Sequence, residues 1–198
     1  MASSIETTST TTTLKNNGTA YISVDTNENV TLAHPLALAQ GGSGAVSVNG
    51  IVQVVNTQVS AVASGTTTMP QDDTIPQNTE GNEYMTLAIT PKHASNKLRI
   101  DIVSVDENNS AGNPTTYALF QDSTAGALAA WGNTHDNINW LYTTNLTHYM
   151  TAGTTSATTF KLRIGGHSAS TTTFNGKTTG RLFGGVCASS ITITEYSV

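Results

Sequence analysis

Lys97-Leu98-Arg99-Ile100-Asp101-Ile102 alternates charged and apolar side chains without a break, and Thr159-Phe160-Lys161-Leu162-Arg163-Ile164 repeats the design. A period of two puts Leu98, Ile100 and Ile102 on one side of an extended chain and the charges on the other. A helix would scatter both sets around its circumference. Met85, Leu87 and Ile89 form a third such row. Turn signals separate these runs: Gly81-Asn82, Ala111-Gly112-Asn113-Pro114, Ala152-Gly153, and Asn175-Gly176, whose spacing predicts a two-residue hairpin. The pattern predicts strands over 51–63, 83–90, 97–105, 115–121, 127–131, 146–151, 158–164, 171–174, 181–188 and 190–196. Ten short strands with no helical window read as an all-β jelly-roll or β-sandwich head over residues 46–198.

The first 45 residues differ. Up to about Asn17 the chain is nearly all Ser and Thr, which bury too little apolar surface to offset the entropy of ordering. Residues 20–24 and 29–32 alternate and flank the turn-rich Asp25-Thr26-Asn27-Glu28, and Gly41-Gly42-Ser43-Gly44 is a flexible joint. The expectation is an extended N-terminal arm that is ordered by neighbouring protein and gains affinity through main-chain strand addition. Leu14, Tyr21, Gly41, Gly42 and Gly44 are its candidate attachment and joint residues.

Composition narrows the function classes. Charged residues make up 11% of the chain, with 8 Lys and Arg against 13 Asp and Glu, for a net charge of −5. There is no basic stripe for phosphates, so nucleic acid is not expected as a partner. No run approaches the roughly 18 apolar residues of a membrane span, and no signal peptide is recognisable, so membrane insertion is not expected. Low charge leaves wide areas of Thr, Ser, Ala and Gly, which cost little to desolvate against a copy of themselves. Self-association as a trimer is the expectation.

The chemistry-bearing residues do not assemble into a catalytic pattern. Asp72-Asp73 and Asp106-Glu107 fall in expected loops, as solvated acids or turn caps, and neighbours in extended chain point to opposite sides. His34, His93, His135, His148 and His167 form no H-x-x-x-H spacing. His148 lies between Leu146 and Met150, as a core or interface histidine or as an axial ligand of a trimer. Cys187 reads as a buried structural thiol. No enzyme activity, catalytic residue, cofactor or metal is expected. Trp131, Asn133, His135, Asp136, Trp140 and Tyr142 form a polar stretch inside an aromatic frame. Such a set suits a glycan or receptor contact, where aromatic faces stack on sugars and amides bond hydroxyls. It equally suits aromatics that plug the core or a trimer interface.

The run Ala39-Gln40-Gly41-Gly42-Ser43-Gly44-Ala45 resembles the GGTGA-type joint of tailed-phage fibre proteins, which links a shaft to a terminal domain. Residues 51–198 resemble phage structural head domains, similar in architecture to trimeric C1q/TNF-like modules. The resemblance is carried by Val54-Val55-Asn56-Thr57-Gln58, the run from Thr74 to Pro91, Ala118 to Thr124, Thr147 to Thr154, and Leu182-Phe183-Gly184-Gly185 onward. It implies a homotrimeric virion protein of the fibre type. Its arm would bind other virion proteins, and its head would contact a host surface glycan or protein. The same resemblance leaves open a capsid decoration or cement protein that stabilises the phage head.

Overall fold

The computed structural model describes residues 50–138 and 140–198, the side chain of residue 135 excepted, and the backbone alone of 3–7, 11–16, 19–25 and 30–32. The chain divides into two units, Met1–Val48 and Asn49–Val198.

The described part of the first unit is an antiparallel meander of β1 (Ser3–Thr7), β2 (Thr11–Asn16), β3 (Thr19–Asp25) and β4 (Val30–Leu32), ordered as in the chain. The sequence predicts an extended arm, with strands only over 20–24 and 29–32. Two further strands, β1 and β2, pair ahead of them. Thr is a good strand residue, and the ladder bonds are made by backbone whatever the side chains. The few apolar residues are also in register: Ile5 stands opposite Leu14, Leu14 opposite Ile22, and Ile22 opposite Leu32. One apolar position per strand thus forms a row across all four.

The second unit folds two sheets face to face as an all-β jelly-roll sandwich. One sheet runs β10 (Ala129–His135), β9 (Asn113–Gln121), β12 (Thr158–Gly166), β7 (Asn82–Ile89). The other is organised by β8 (Lys97–Asn108), the longest strand. Along one edge β8 pairs with β11 (Tyr142–Thr151). Its other edge takes β16 (Ser189–Tyr196) beside 97–103, then β13 (Thr172–Phe174) beside 106–108. Outside these lie β5 (Ile51–Val59) on β16 and β6 (Ala63–Gly65) on β13. The alternation read from sequence holds: Leu98, Ile100 and Ile102 are buried, as are Phe160, Leu162 and Ile164. With Met85, Ile89, Leu119, Ile191 and Ile193 they form the core between the sheets.

Two expectations fail for backbone reasons. Residues 181–188 are not a strand. A small hairpin of β14 (Gly176–Lys177) and β15 (Gly180–Arg181) leads into a single 3₁₀ turn at Phe183–Gly185, where Gly184 and Gly185 have φ of 65° and 97°. Those left-handed values end an extended run. Asn175-Gly176 makes no two-residue hairpin either. Asn175 does take the left-handed conformation, φ 55°, but its amide donates to Val59 O (2.7 Å) and its Oδ1 accepts from Ser189 Oγ (2.7 Å). It ties β13 to β5 and β16 instead of turning the chain onto itself.

A third departure bears on the site. Residues 66–81, a loop by sequence, lie on the outer side of the β10-β9-β12-β7 sheet and cover Ala118 and Phe120 with Met69. Met69 N donates to Gly166 O (2.9 Å), and Arg163 reaches Glu80 O and Gly81 O at 2.8 and 2.7 Å. The fit depends on Gly165, where a Cβ would stand 2.6 Å from Thr67 O and 2.9 Å from Met69 N, both backbone atoms that cannot rotate away. Gly165→Ala is expected to lower stability by about 1–3 kcal/mol. A urea titration checks this, and an unchanged midpoint would refute the close approach.

The ends of the sandwich are distinct. The chain enters at Gly50, bonded to Ser197, and Ile51 faces Tyr196, which faces Lys97. Turns 90–96 and 152–157 lie at this entry end. Turns 109–112 and 167–171 and residues 136–138 and 140–141 lie at the opposite, free end, whereas segment 175–188 leaves β13 beside Val105 and returns to β16 beside Val103.

Candidate functional site

β10 and the turn that follows it carry the residues singled out for recognition. Trp131 pairs in register with Tyr117 of β9, and their rings stack with centroids 5.5 Å apart at 14°. Trp131 is half-buried against the core, so it takes the packing role. Asn133 is half-buried two positions on; the side chain of His135 lies outside the described residues. Asp136 is exposed in the turn, and Trp140 is 61% exposed. Tyr142 starts β11 directly opposite Asp106 of β8. The six residues therefore separate into a supporting layer, Trp131 and Tyr142, and an outward tip, Asp136 and Trp140.

Beneath that tip the core turns polar. Inward positions on β8 run Leu98, Ile100, Ile102, then Ser104, Asp106 and Asn108, all buried. The sequence pattern puts Asp106-Glu107 in a solvated loop, and the structure corrects this: both lie on β8 with 0% exposure. The ladder with β13 carries β8 three residues beyond its expected end. Tyr117 Oη donates to both Asp106 oxygens, at 2.9 and 3.0 Å. Burial pushes the Asp106 carboxyl up to about 7, although the bonds from Tyr117 oppose the shift. Burial, with the nearby Asp106 charge, also raises Tyr117 far above an ordinary phenol. Glu107 points away, accepting from Thr178 N (2.5 Å) and Thr178 Oγ1. The two carboxylates serve opposite faces and cannot act as a pair.

Amide side chains lock the free-end turns. Asn108 Nδ2 donates to Thr115 Oγ1 and Ser170 Oγ, both at 3.1 Å, while its Oδ1 accepts from Ser110 N at 3.0 Å. Asn113 bonds Ser168 through both ends of its amide, at 3.0 and 3.1 Å. Turns 109–112 and 167–171 are thereby held together without apolar packing.

Segment 175–188 exposes apolar side chains that the sequence pattern hides. Phe183 is 70% exposed and Val186 80%, on the turn where Phe183 itself has φ 50°. A left-handed aromatic residue outside the core stores strain, of the order of 1–3 kcal/mol. The signal is the Gly-Gly pair after Phe183, which a strand over 181–188 hides. Ile138, 49% exposed, accompanies Trp140 between β10 and β11.

Of the other named residues, Leu14 occupies the apolar row of the meander and Tyr21 the irregularity where the β2–β3 register shifts. Gly41, Gly42 and Gly44 lie outside the described residues. His148 lies on the core-facing side of β11 opposite Ile100, and burial lowers its pKa. Cys187 is buried, as expected, though in an irregular segment, and burial pushes its thiol up. Among the described residues, no three His, Cys, Asp or Glu side chains converge as metal ligands.

No family model matches the chain, and no curated protein matches it. Dimeric latent PorU from Porphyromonas gingivalis is 7% identical over 77% of this chain and 14% of its own, at a TM-score of 0.36. Infectious bursal disease virus, Gt strain, is 9% identical over 95% of this chain and 48% of its own, also at 0.36. The enzymatically active domain of bacteriophage CBA120 tailspike protein 4 is 12% identical over 64% and 19%, at 0.26. This chain spans less than half of each, and likenesses this distant carry no argument about function.

Proposed function

We propose that this chain is a bacteriophage virion structural protein of the fibre type, a homotrimer whose head presents its free end to the host surface. The observation that carries the reading is the polarity of the head. The chain enters at Gly50, while Ile138 and Trp140 are exposed between β10 and β11 at the opposite end, and Phe183 and Val186 are exposed on the excursion between β13 and β16. A molecule held at its entry end would offer Ile138 and Trp140 outward. Large exposed apolar side chains grouped at one end mark an interaction surface. The first 45 residues, with their joint, are assigned to attachment on other virion proteins.

The trimer reading rests on a second surface. The outer side of the β11-β8-β16-β5 sheet carries Tyr149, Arg99, Thr194 and Val54 in one register row, and Thr147, Asp101, Thr192 and Asn56 in the next. Ile51, Val54 and Tyr149 are 62%, 52% and 60% exposed, with Arg99 stacked over the Tyr149 ring at 5.9 Å. Thr between apolar side chains makes a flat surface that is cheap to desolvate. Native mass measurement on the whole protein is expected to give three times 20.6 kDa, and Val54→Asp with Tyr149→Ser should return it to monomer. A wild-type monomer at micromolar concentration would refute the trimer.

Recognition is tested by competition. Purified protein incubated with host cells should slow adsorption of the phage, and Trp140→Ala with Phe183→Ala should abolish the effect. Labelling of the virion that decorates the whole capsid shell, with no effect on adsorption, would instead give a decoration protein.

A further inference from the structure

An open cleft runs between residues 70–76 and the outer side of β10. It has two lobes, of about 330 and 400 Å³, which share Asp72, Thr74, Pro76 and Ala130. From this cleft we infer a binding site for a neutral oligosaccharide, an inference that rests on the host-recognition reading and gives it a ligand class. The site is separate from the exposed turns at the free end.

The chemistry of the walls argues for that ligand. Neither lobe is lined by a Lys or Arg, so nothing there would neutralise a phosphate, sulfate or uronate. The Asp72 carboxylate has one oxygen engaged: Oδ1 accepts from Thr74 N (2.9 Å) and Thr74 Oγ1 (2.5 Å). Those bonds fix its orientation and leave Oδ2 as an acceptor with no described partner. A fixed, solvent-facing carboxylate bonds sugar hydroxyls strongly, because charge-assisted bonds exceed neutral ones. Pro76 and Ala130 supply apolar wall for the C–H face of a ring.

The floor supplies the independent observation. Thr116 is 4% exposed and lines the same lobe, and its hydroxyl has no hydrogen-bond partner in the protein. A buried polar group without a partner costs about 1–3 kcal/mol, so one offered to a ligand improves binding. Its register partner on β10 is Gly132. Gly132 has no Cβ, which makes room for the Gln71 amide, and that amide makes one described bond, a long one of 3.3 Å to Thr115 O. Gln71 is an exposed, unbranched side chain that can turn aside. Two adjacent lobes that share four wall residues suit a linear chain of sugar units better than a single compact ligand.

The test uses the whole protein with linear glucose and N-acetylglucosamine oligomers, and glucuronate-containing oligomers of the same length, read by saturation-transfer NMR and titration calorimetry. Neutral oligomers should bind, and the glucuronate forms at least about 10-fold more weakly because Asp72 and Asp73 repel them. Asp72→Asn and Thr116→Val should each weaken neutral binding by about 10-fold, while Thr116→Ser restores it and Ser156→Ala, on the exposed turn at the entry end, leaves it unchanged. Binding of a neutral oligomer that Trp140→Ala abolishes and Thr116→Val does not would overturn the cleft site yet leave host recognition standing. So would cell binding by a protein that takes up none of the neutral oligomers. Loss of both cell binding and oligomer binding in the wild-type protein would refute the two readings together.

Discussion

Glu195→Ala should destabilise the head by about 3–5 kcal/mol, the largest loss expected from any single side-chain truncation outside the apolar core. Glu195 is fully buried on β16, yet its carboxylate accepts four sets of bonds. Gln53 Nε2 and Asn96 Nδ2 donate at 2.5 and 2.6 Å, Lys92 N at 2.8 Å to one oxygen and 3.1 Å to the other, and His93 N at 3.3 Å. The donors come from β5 and from the turn between β7 and β8, so one group joins three parts of the entry end. Alanine would leave the buried Asn96 amide without this acceptor and would take one from Gln53, Lys92 and His93 as well. Burial disfavours ionisation of Glu195, but bonds from Asn96, Gln53, Lys92 and His93 outweigh it and hold the carboxyl below its ordinary range. A depressed carboxyl stabilises above its unfolded value near 4.5 and loses that contribution as pH falls through the folded value. Glu195→Gln keeps one acceptor oxygen and should cost less than alanine. Urea unfolding at pH 7 measures both, and a loss below about 1 kcal/mol for alanine would show that water replaces the carboxylate.

Glu195 also marks where sequence reading stops. In Ile191-Thr192-Ile193-Thr194-Glu195-Tyr196 the alternation assigns position 195 to the core side, which is where it lies. Nothing local says that a charged residue there would be satisfied, because its partners are about 100 and 140 residues away. The strands are legible because period two is written in neighbouring residues. The sandwich follows from their number and spacing. The meander over 3–16 is not legible, since its apolar positions are one per strand and only register brings them into a row. Segment 181–188 misleads because Leu, Phe, Val and Cys favour strands and mask the two glycines that break the run.

The free-end site is legible in part. Trp140 and Asp136 stand out in the sequence as an aromatic frame around polar residues, and they are exposed there. Phe183 and Val186 do not, because their exposure comes from the long excursion of segment 175–188 out of the sheet. The cleft under residues 70–76 leaves no mark, since Gln71, Asp72 and Thr116 are far apart in the chain and ordinary as residue types. That segment is held on the sheet mainly by backbone bonds and by Arg163, which no side-chain pattern encodes.

Asp106→Asn should make the head more stable in neutral and alkaline solution, by up to about 4 kcal/mol above pH 7. The carboxyl titrates near 3.8 when unfolded and near 7 when buried, so between those values the folded state binds the proton that the unfolded state has released. Stability therefore falls as pH rises from about 4 to 7 and levels off above the folded value, the reverse of the Glu195 dependence. An asparagine side chain at this position has nearly the same shape, offers its Oδ1 to the Tyr117 hydroxyl and carries no charge to bury. Its advantage should vanish near pH 4, where Asp106 is protonated in the folded head and neutral too. Opposed in sign, the two carboxyls together contribute most to stability near pH 4–5. Above it the Asp106 charge has to be buried under the Tyr117–Trp131 stack; below it the Glu195 bonds are lost. Denaturant midpoints of wild type and Asp106→Asn from pH 3 to 9 should diverge steadily above pH 4. Curves that stay parallel would mean that Asp106 keeps an ordinary carboxylate pKa inside the sandwich, and that the polar end of the core is wetter than its burial indicates.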